Sequence, residues 1–159
     1  MKERMRSKFL VYAAVLCGGL FLFMSGQVSA ATIVKFKLLR GHVIVIPITV
    51  NGSGPYDFIL DTGASTTTVS SEFARVSRLR PADRVELVTV AGSRFLPRAY
   101  LSSVSIGAKS VENLEAIIND LTEARAISSG IHGALGQNFL SQFNILIDYR
   151  ERQIECVCH

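Results

Sequence analysis

From residue 32 onward the chain alternates apolar and polar positions at short period, and turn-forming residues break the pattern about every ten positions. Ile33, Val34, Phe36 and Leu38, set against Lys35 and Lys37, predict an edge strand over 32–39. Residues 42–50, rich in Val and Ile, predict a second strand, with Pro47 marking an edge or a bulge. Asn51-Gly52 is a hairpin-turn signal, and Ser53-Gly54-Pro55 reads as lengthening that connection before a strand over 56–60. The β-branched run at 66–70 continues the sheet, and 71–78 suits one short helical turn. Two strands, 85–90 and 95–101, flank Ala91-Gly92-Ser93 and predict a hairpin with a glycine at its tip. Residues 104–106, the turn Gly107-Ala108 and residues 111–119 extend the β pattern, although 114–118 also suits a helix. A short helix over 138–142 precedes a strand over 144–149. Short strands spaced by turns predict an all-β fold, a small closed or partly open barrel with one short C-terminal helix.

Ahead of this domain the pattern changes. Lys2, Arg4, Arg6 and Lys8 form a basic start, and residues 9–24 are an apolar stretch of 16 residues. That is short for a membrane span and suited to the core of a signal peptide. Val28-Ser29-Ala30 supplies the small residues that signal peptidase reads. Cleavage before Ala31 is therefore predicted, giving a periplasmic or secreted protein with a mature domain of 31–159. The competing reading is an uncleaved anchor that holds the domain at a membrane through residues 9–24. Leu16 before Cys17 does not suit a lipoprotein signal. The leader also carries most of the charge: residues 1–30 hold four basic groups and Glu3, a net of +3 out of the chain's +4. The remainder is near +1, so charge gives no reason to invoke nucleic acid or an anionic surface as a partner. It is long enough for one domain with its own core, and no repeat or linker divides it.

The candidate chemistry sits at Phe58-Ile59-Leu60-Asp61-Thr62-Gly63-Ala64-Ser65. An apolar run that ends on a carboxylate carries an acid to the end of a buried strand, and a buried carboxylate is normally paired, neutralised or functional. Downstream, Gly133-Ala134-Leu135-Gly136-Gln137-Asn138-Phe139-Leu140 places an apolar pair and a glycine ahead of the short helix. Phe143-Asn144-Ile145-Leu146-Ile147-Asp148-Tyr149 follows as a strand. The two segments, about 75 residues apart, resemble the active-site motif and the second signature of retropepsin-like aspartic proteases, the retroviral type with a single Asp-Thr-Gly per chain. The resemblance spans about residues 41–154.

The resemblance implies a barrel of retropepsin type with its active site at a homodimer interface, because one Asp61 supplies half of a carboxylate pair sharing a proton around a water. Such a pair activates the water for attack on a peptide bond, with no covalent intermediate and no cofactor. In this scheme Asp61 is the shared acid and base. Thr62 ties the two loops across the two-fold axis, and Gly63 lets them approach. Ala64 stands where pepsin-like members often carry a serine, which predicts a less extreme acid optimum. Ala134, Leu135 and Gly136 brace the loop. Ala91, Gly92 and Ser93 form the tip of a flap over an extended peptide or unstructured protein substrate, with apolar side chains near the cut. The implied activity is that of an aspartic endopeptidase. The alternative is a catalytically inactive peptide-binding or scaffolding module on the same fold, which a strict monomer would favour.

Other candidates carry less chemistry. Asp148, just before Arg150 and Arg152, reads as half of a structural ion pair, and Asp57, Asp83 and Asp120 read as turn or loop residues. His132 reads as a loop residue, and the three histidines show no ligand spacing. Cys156-Val157-Cys158-His159 has no matching ligand cluster elsewhere, so no metal is expected. Cysteines two apart in an extended strand point the same way and are poorly placed to bridge each other, leaving an interchain disulfide or free thiols. Serine catalysis is unsupported, because Gly63-Ala64-Ser65 lacks the Gly-x-Ser-x-Gly elbow.

Overall fold

A computed structural model describes residues 31–89 and 92–158. The predicted leader at 1–30 and the flap residue Ala91 lie outside them. Among the described residues no helix is long and apolar enough to cross a membrane.

The expected strand at 32–39 is two strands. β1 (Thr32–Lys35) and β2 (Lys37–Leu39) join different sheets. Between them the buried Phe36 turns its ring into the core, and its N–H donates to the Arg152 carbonyl at 2.9 Å. β3 (Val43–Val50) and β4 (Ser53–Leu60) form a hairpin turned by Asn51 and Gly52, with φ of 50° and 74°. Two positive φ values give the turn whose twist matches paired strands. Ser53 already pairs with Val50, so Ser53-Gly54-Pro55 belongs to the strand and does not lengthen the connection.

β5 (Thr67–Ser70) leads into α1 (Ser71–Val76), where the Ser70 hydroxyl accepts the Phe73 N–H at 3.0 Å. Ser70→Ala is expected to cost about 1 kcal/mol through loss of this cap, measured by urea unfolding. β6 (Asp83–Thr89) and β7 (Gly92–Ile106) form the predicted hairpin, and β7 absorbs both expected segments in one strand of 15 residues. β7 turns back into β8 (Lys109–Asn119), so 114–118 is strand. Pairing of Ala116 with Ala99 and of Leu114 with Leu101, all buried, outweighs the local helical tendency.

Two further elements were not expected from the pattern, α2 (Thr122–Ile127) and β9 (Ile131–Leu135). α3 (Gln137–Leu140) is the predicted short helix, and β10 (Phe143–Asp148) pairs with β11 (Gln153–Cys158).

The larger sheet runs β2-β3-β4-β9-β5-β8-β7-β6, and β3 also pairs with β7. That extra pairing brings the sheet round on itself. The join is short, Thr49 with Ser105 and Val50 with Val104, so the result is a partly open barrel. Its interior holds Ile46, Ile48, Phe58, Leu101, Val104 and Leu135, all nearly inaccessible to solvent. A second sheet, β1-β11-β10, packs on this core through Ile154 and Cys156.

Candidate active site

Asp61 follows the last residue of β4, and its position is set by its neighbours. Leu60 pairs with Leu135 of the parallel strand β9, and one residue on, the Asp61 N–H donates to the Leu135 carbonyl at 3.0 Å. The chain then turns sharply around the Asp61 side chain. Oδ1 accepts the N–H groups of Gly63 at 3.0 Å and Ala64 at 3.2 Å, the self-capping turn that aspartate favours. Oδ2 makes no hydrogen bond among the described residues and is left for solvent or a second group.

The segment at Gly136 is knotted onto this loop. Gln137 and Asn138 donate their N–H groups to the carbonyls of Ala64 and Ser65 at 2.8 and 3.0 Å, and the Gln137 amide donates to the Thr62 carbonyl at 2.8 Å. Thr67, fully buried, accepts the Gly136 N–H on its hydroxyl at 3.1 Å and donates that hydroxyl to Asn138 Oδ1 at 2.8 Å. The Thr67 N–H reaches the same oxygen at 2.9 Å, and the Asn138 amide donates to the Glu115 carbonyl at 2.7 Å. Buried polar groups satisfied this completely specify one geometry. Thr67, Gln137 and Asn138 were not singled out from the sequence, although Gln137 and Asn138 lie within the second signature. A polar residue just after an apolar-Gly pair at a helix start was the available signal.

A cleft of about 870 Å³ opens on Asp61, within the usual range for ligand sites. Ile59 and Ala134 line it beside the carboxylate. Ile118 and residues 119–124, including the first turn of α2, line another part, and Arg94, Leu96 and Pro97 of β7 line a third. Leu96 pairs with Val85, and Arg94 with Leu87, so these four share one face of the hairpin. Phe95 and Val88, exposed by 60% and 74%, fall on the other face. Gly92 and Ser93 are exposed and are not among the residues that line the cleft. Thr62 and Gly63 are also exposed. On the flank of the loop a second hollow of about 410 Å³ is lined by Leu60, Asp61, Thr62, His42, Ile147 and Tyr149, among others.

Arg98 anchors the base of the hairpin, donating to Asp83 through Nε at 2.8 Å and through Nη2, with Glu115 at 3.5 Å. The hydrogen bonds from Arg98 hold the Asp83 carboxyl below its usual range. Asp83 is therefore an ion-paired strand residue, as is Asp57, which meets Lys37 at 2.6 Å; neither is a turn residue. Asp148 makes no ion pair among the described residues; its carboxylate instead accepts the Glu151 N–H at 2.9 Å, closing the β10–β11 turn. Its turn position, not its arginine neighbours, decides its role. His132 lies in β9 rather than a loop. Cys156 is fully buried on the core side of β11, where burial pushes its thiol pKa up. Among the described residues no group of three His, Cys, Asp or Glu side chains is placed to hold a metal ion.

Residues 46–142 match the model of the family termed "gag-polyprotein putative aspartyl protease". The chain belongs to this aspartyl protease family. No curated protein matches the chain. Among solved structures it is similar to a retropepsin-like aspartic protease from Rickettsia conorii, 21% identical over 80% of this chain and 89% of that one, with a TM-score of 0.56. EIAV protease complexed with the inhibitor HBY-793 is 14% identical over 76% of this chain and 92% of that one, with a TM-score of 0.46. The fold is retropepsin-like, mostly β with few helices. The matched residues 46–142 include Asp61-Thr62-Gly63 and the segment from Gly133 to Leu140.

Proposed function

We propose that the protein is an exported aspartic endopeptidase, active as a homodimer, in which one Asp61 from each copy activates the attacking water. The observation that carries this reading is the Asp61 carboxylate, clamped by two backbone N–H groups on Oδ1 while Oδ2 is left unbonded in a cleft large enough for a peptide. A carboxylate positioned this way can exchange a proton with water, and peptide hydrolysis needs a second group to protonate the leaving side. The exposed Thr62 and Gly63 and the adjoining hollow, with Tyr149 58% exposed, support a second copy bringing that group. Ile59, Leu96, Ile118 and Leu121 in the cleft support a substrate with apolar side chains near the cut. Thr62 and Gly63 would meet their counterparts at the two-fold axis, and Ala134, Leu135 and Gly136 hold the loop from behind.

The test is digestion of a mixed peptide library between about pH 3 and 7 by the full-length protein and its Asp61→Ala variant in parallel. Cuts made by the wild type and absent from the variant are expected. N-terminal sequencing of the same preparation reads whether export has removed residues 1–30. No cuts from a protein shown to be dimeric in that solution would leave a peptide-binding module on the same fold as the better reading.

A further inference from the structure

The cleft that opens on Asp61 is lined by apolar side chains, Ile59, Leu96 and Ile118 among them, and beyond Asp61 it holds three charged residues. Arg94 comes from β7, Asp120 from the link between β8 and α2, and Glu123 from the first turn of α2. None of the three makes an ion pair among the described residues. The other two arginines of the β6–β7 hairpin are committed. Arg84 donates through Nη2 to the Phe95 carbonyl at 2.6 Å, and Arg98 is held by Asp83 and Glu115. Arg94 is exposed, and its partner across the hairpin is the apolar Leu87.

An arginine without an ion-pair partner at the wall of a cleft keeps its donors for whatever enters. Its guanidinium presents parallel N–H groups that match the two oxygens of a carboxylate. Leu96 and Pro97 line the cleft beside it, so a peptide lying there displaces part of the water that would weaken such a pair. Asp120 and Glu123 act in the opposite sense, because they repel a carboxylate that approaches the α2 side. The cleft thus has a positive pole on β7 and a negative one at α2, and an acidic side chain fits only the first.

We propose that Arg94 is a specificity-determining residue that selects peptides carrying an Asp or Glu side chain near the cut, by pairing with that carboxylate. The inference rests on the reading of this cleft as a peptide site and adds a defined charge to the apolar side chains already assigned to its substrate.

Short fluorescent peptides of Ala, Leu and Ser, each with one Glu, Gln or Lys at successive positions, test the selection on the full-length protein. Binding is read by fluorescence anisotropy with Asp61→Asn, up to about 1 mM protein, and kcat/KM is read with the wild type. At one position or more, Glu is expected to be favoured over Gln by about fivefold, and over Lys by more. Arg94→Gln is expected to erase the preference of Glu over Gln, and Arg94→Glu to reverse the order so that Lys leads by about fivefold. Raising the ionic strength from about 0.05 to 0.5 M is expected to narrow the wild-type preference. If neither variant folds, the wild-type ranking and its loss at high ionic strength decide.

Equal ranking of Glu and Gln at every position would overturn the proposal, as would a preference that survives Arg94→Gln. A loss in that variant falling equally on all three peptides would also overturn it, and would place Arg94 on Asp120 or Glu123 instead of on the substrate. Failure of every peptide to bind or to be cut would do the same. The two readings fail separately: Glu-selective binding without hydrolysis keeps this proposal and removes the endopeptidase, whereas hydrolysis blind to charge does the reverse.

Discussion

An equimolar mixture of the wild-type protein and its Asp61→Asn variant, allowed to exchange subunits, is expected to hydrolyse peptides at about one quarter of the rate of the same total amount of wild type. The variant alone is expected to lose at least about 1,000-fold in rate. Asparagine keeps the shape of aspartate, and its side-chain oxygen can still accept the N–H groups of Gly63 and Ala64, so the loop is expected to fold unchanged. What it loses is the ability to take a proton from water. If two Asp61 side chains share one site, random pairing leaves about a quarter of the dimers with both carboxylates, and mixed dimers are inactive. If each chain worked alone, the mixture would keep about half of the rate. Steady-state cleavage of one peptide identified from the library separates the two results, and a value near one half would sink the shared site.

Gly136→Ala is expected to destabilise the domain by about 3 kcal/mol or more, lowering Tm by about 10 °C, with loss of any activity at temperatures where the wild type is fully active. A Cβ on Gly136 would lie 2.6 Å from the Thr66 carbonyl carbon, 2.7 Å from its oxygen and 2.9 Å from the Thr67 nitrogen. All three are backbone atoms, so relief requires moving one strand relative to another. Any such movement pulls on the Gly136 N–H to Thr67 bond and on the Asp61 N–H to Leu135 bond on either side. Gly63→Ala is the control. Its Cβ would meet only Asp61 Oδ1, at 3.4 Å, an ordinary contact, and Tm is expected to change by no more than about 2 °C. Thermal unfolding of the two variants beside the wild type makes the comparison. A Gly136→Ala protein as stable as the wild type would show that the knot behind Asp61 yields easily.

The sequence made the Asp61 loop legible because its chemistry is local. An apolar strand that stops on Asp61, and a Leu135-Gly136 pair that must lie close behind it, are visible in two short stretches, and the hairpin at Asn51-Gly52 follows from φ preferences alone. What stayed hidden depends on partners distant in the chain. β9 is strand because Phe58, Ile59 and Leu60 on one side and Thr68 and Val69 on the other supply its hydrogen bonds, and His132-Gly133 looks like a loop without them. α2 has no buried residue and no side-chain cap, so no apolar stripe announced it, yet its first turn lines the cleft. The break at Phe36 was equally invisible, since alternation alone does not tell when a strand changes sheets. Thr67 and Asn138 show the same limit, because polar residues reveal their role only once they face each other.

The strand β11 has its own chain on both sides, β1 along one edge and β10 along the other, with Ile154 and Cys156 sealed beneath. Both neighbours of β11 in this sheet therefore come from its own chain, and β1 and β10 form its edges. If two copies associate as proposed, the melting temperature is expected to fall as the protein is diluted, because association adds to the stability of the folded state, and any reaction that needs two copies fades with it. If cleavage needs two Asp61 side chains, as proposed, its onset would follow the amount of chain that accumulates, with a silent store below that dose.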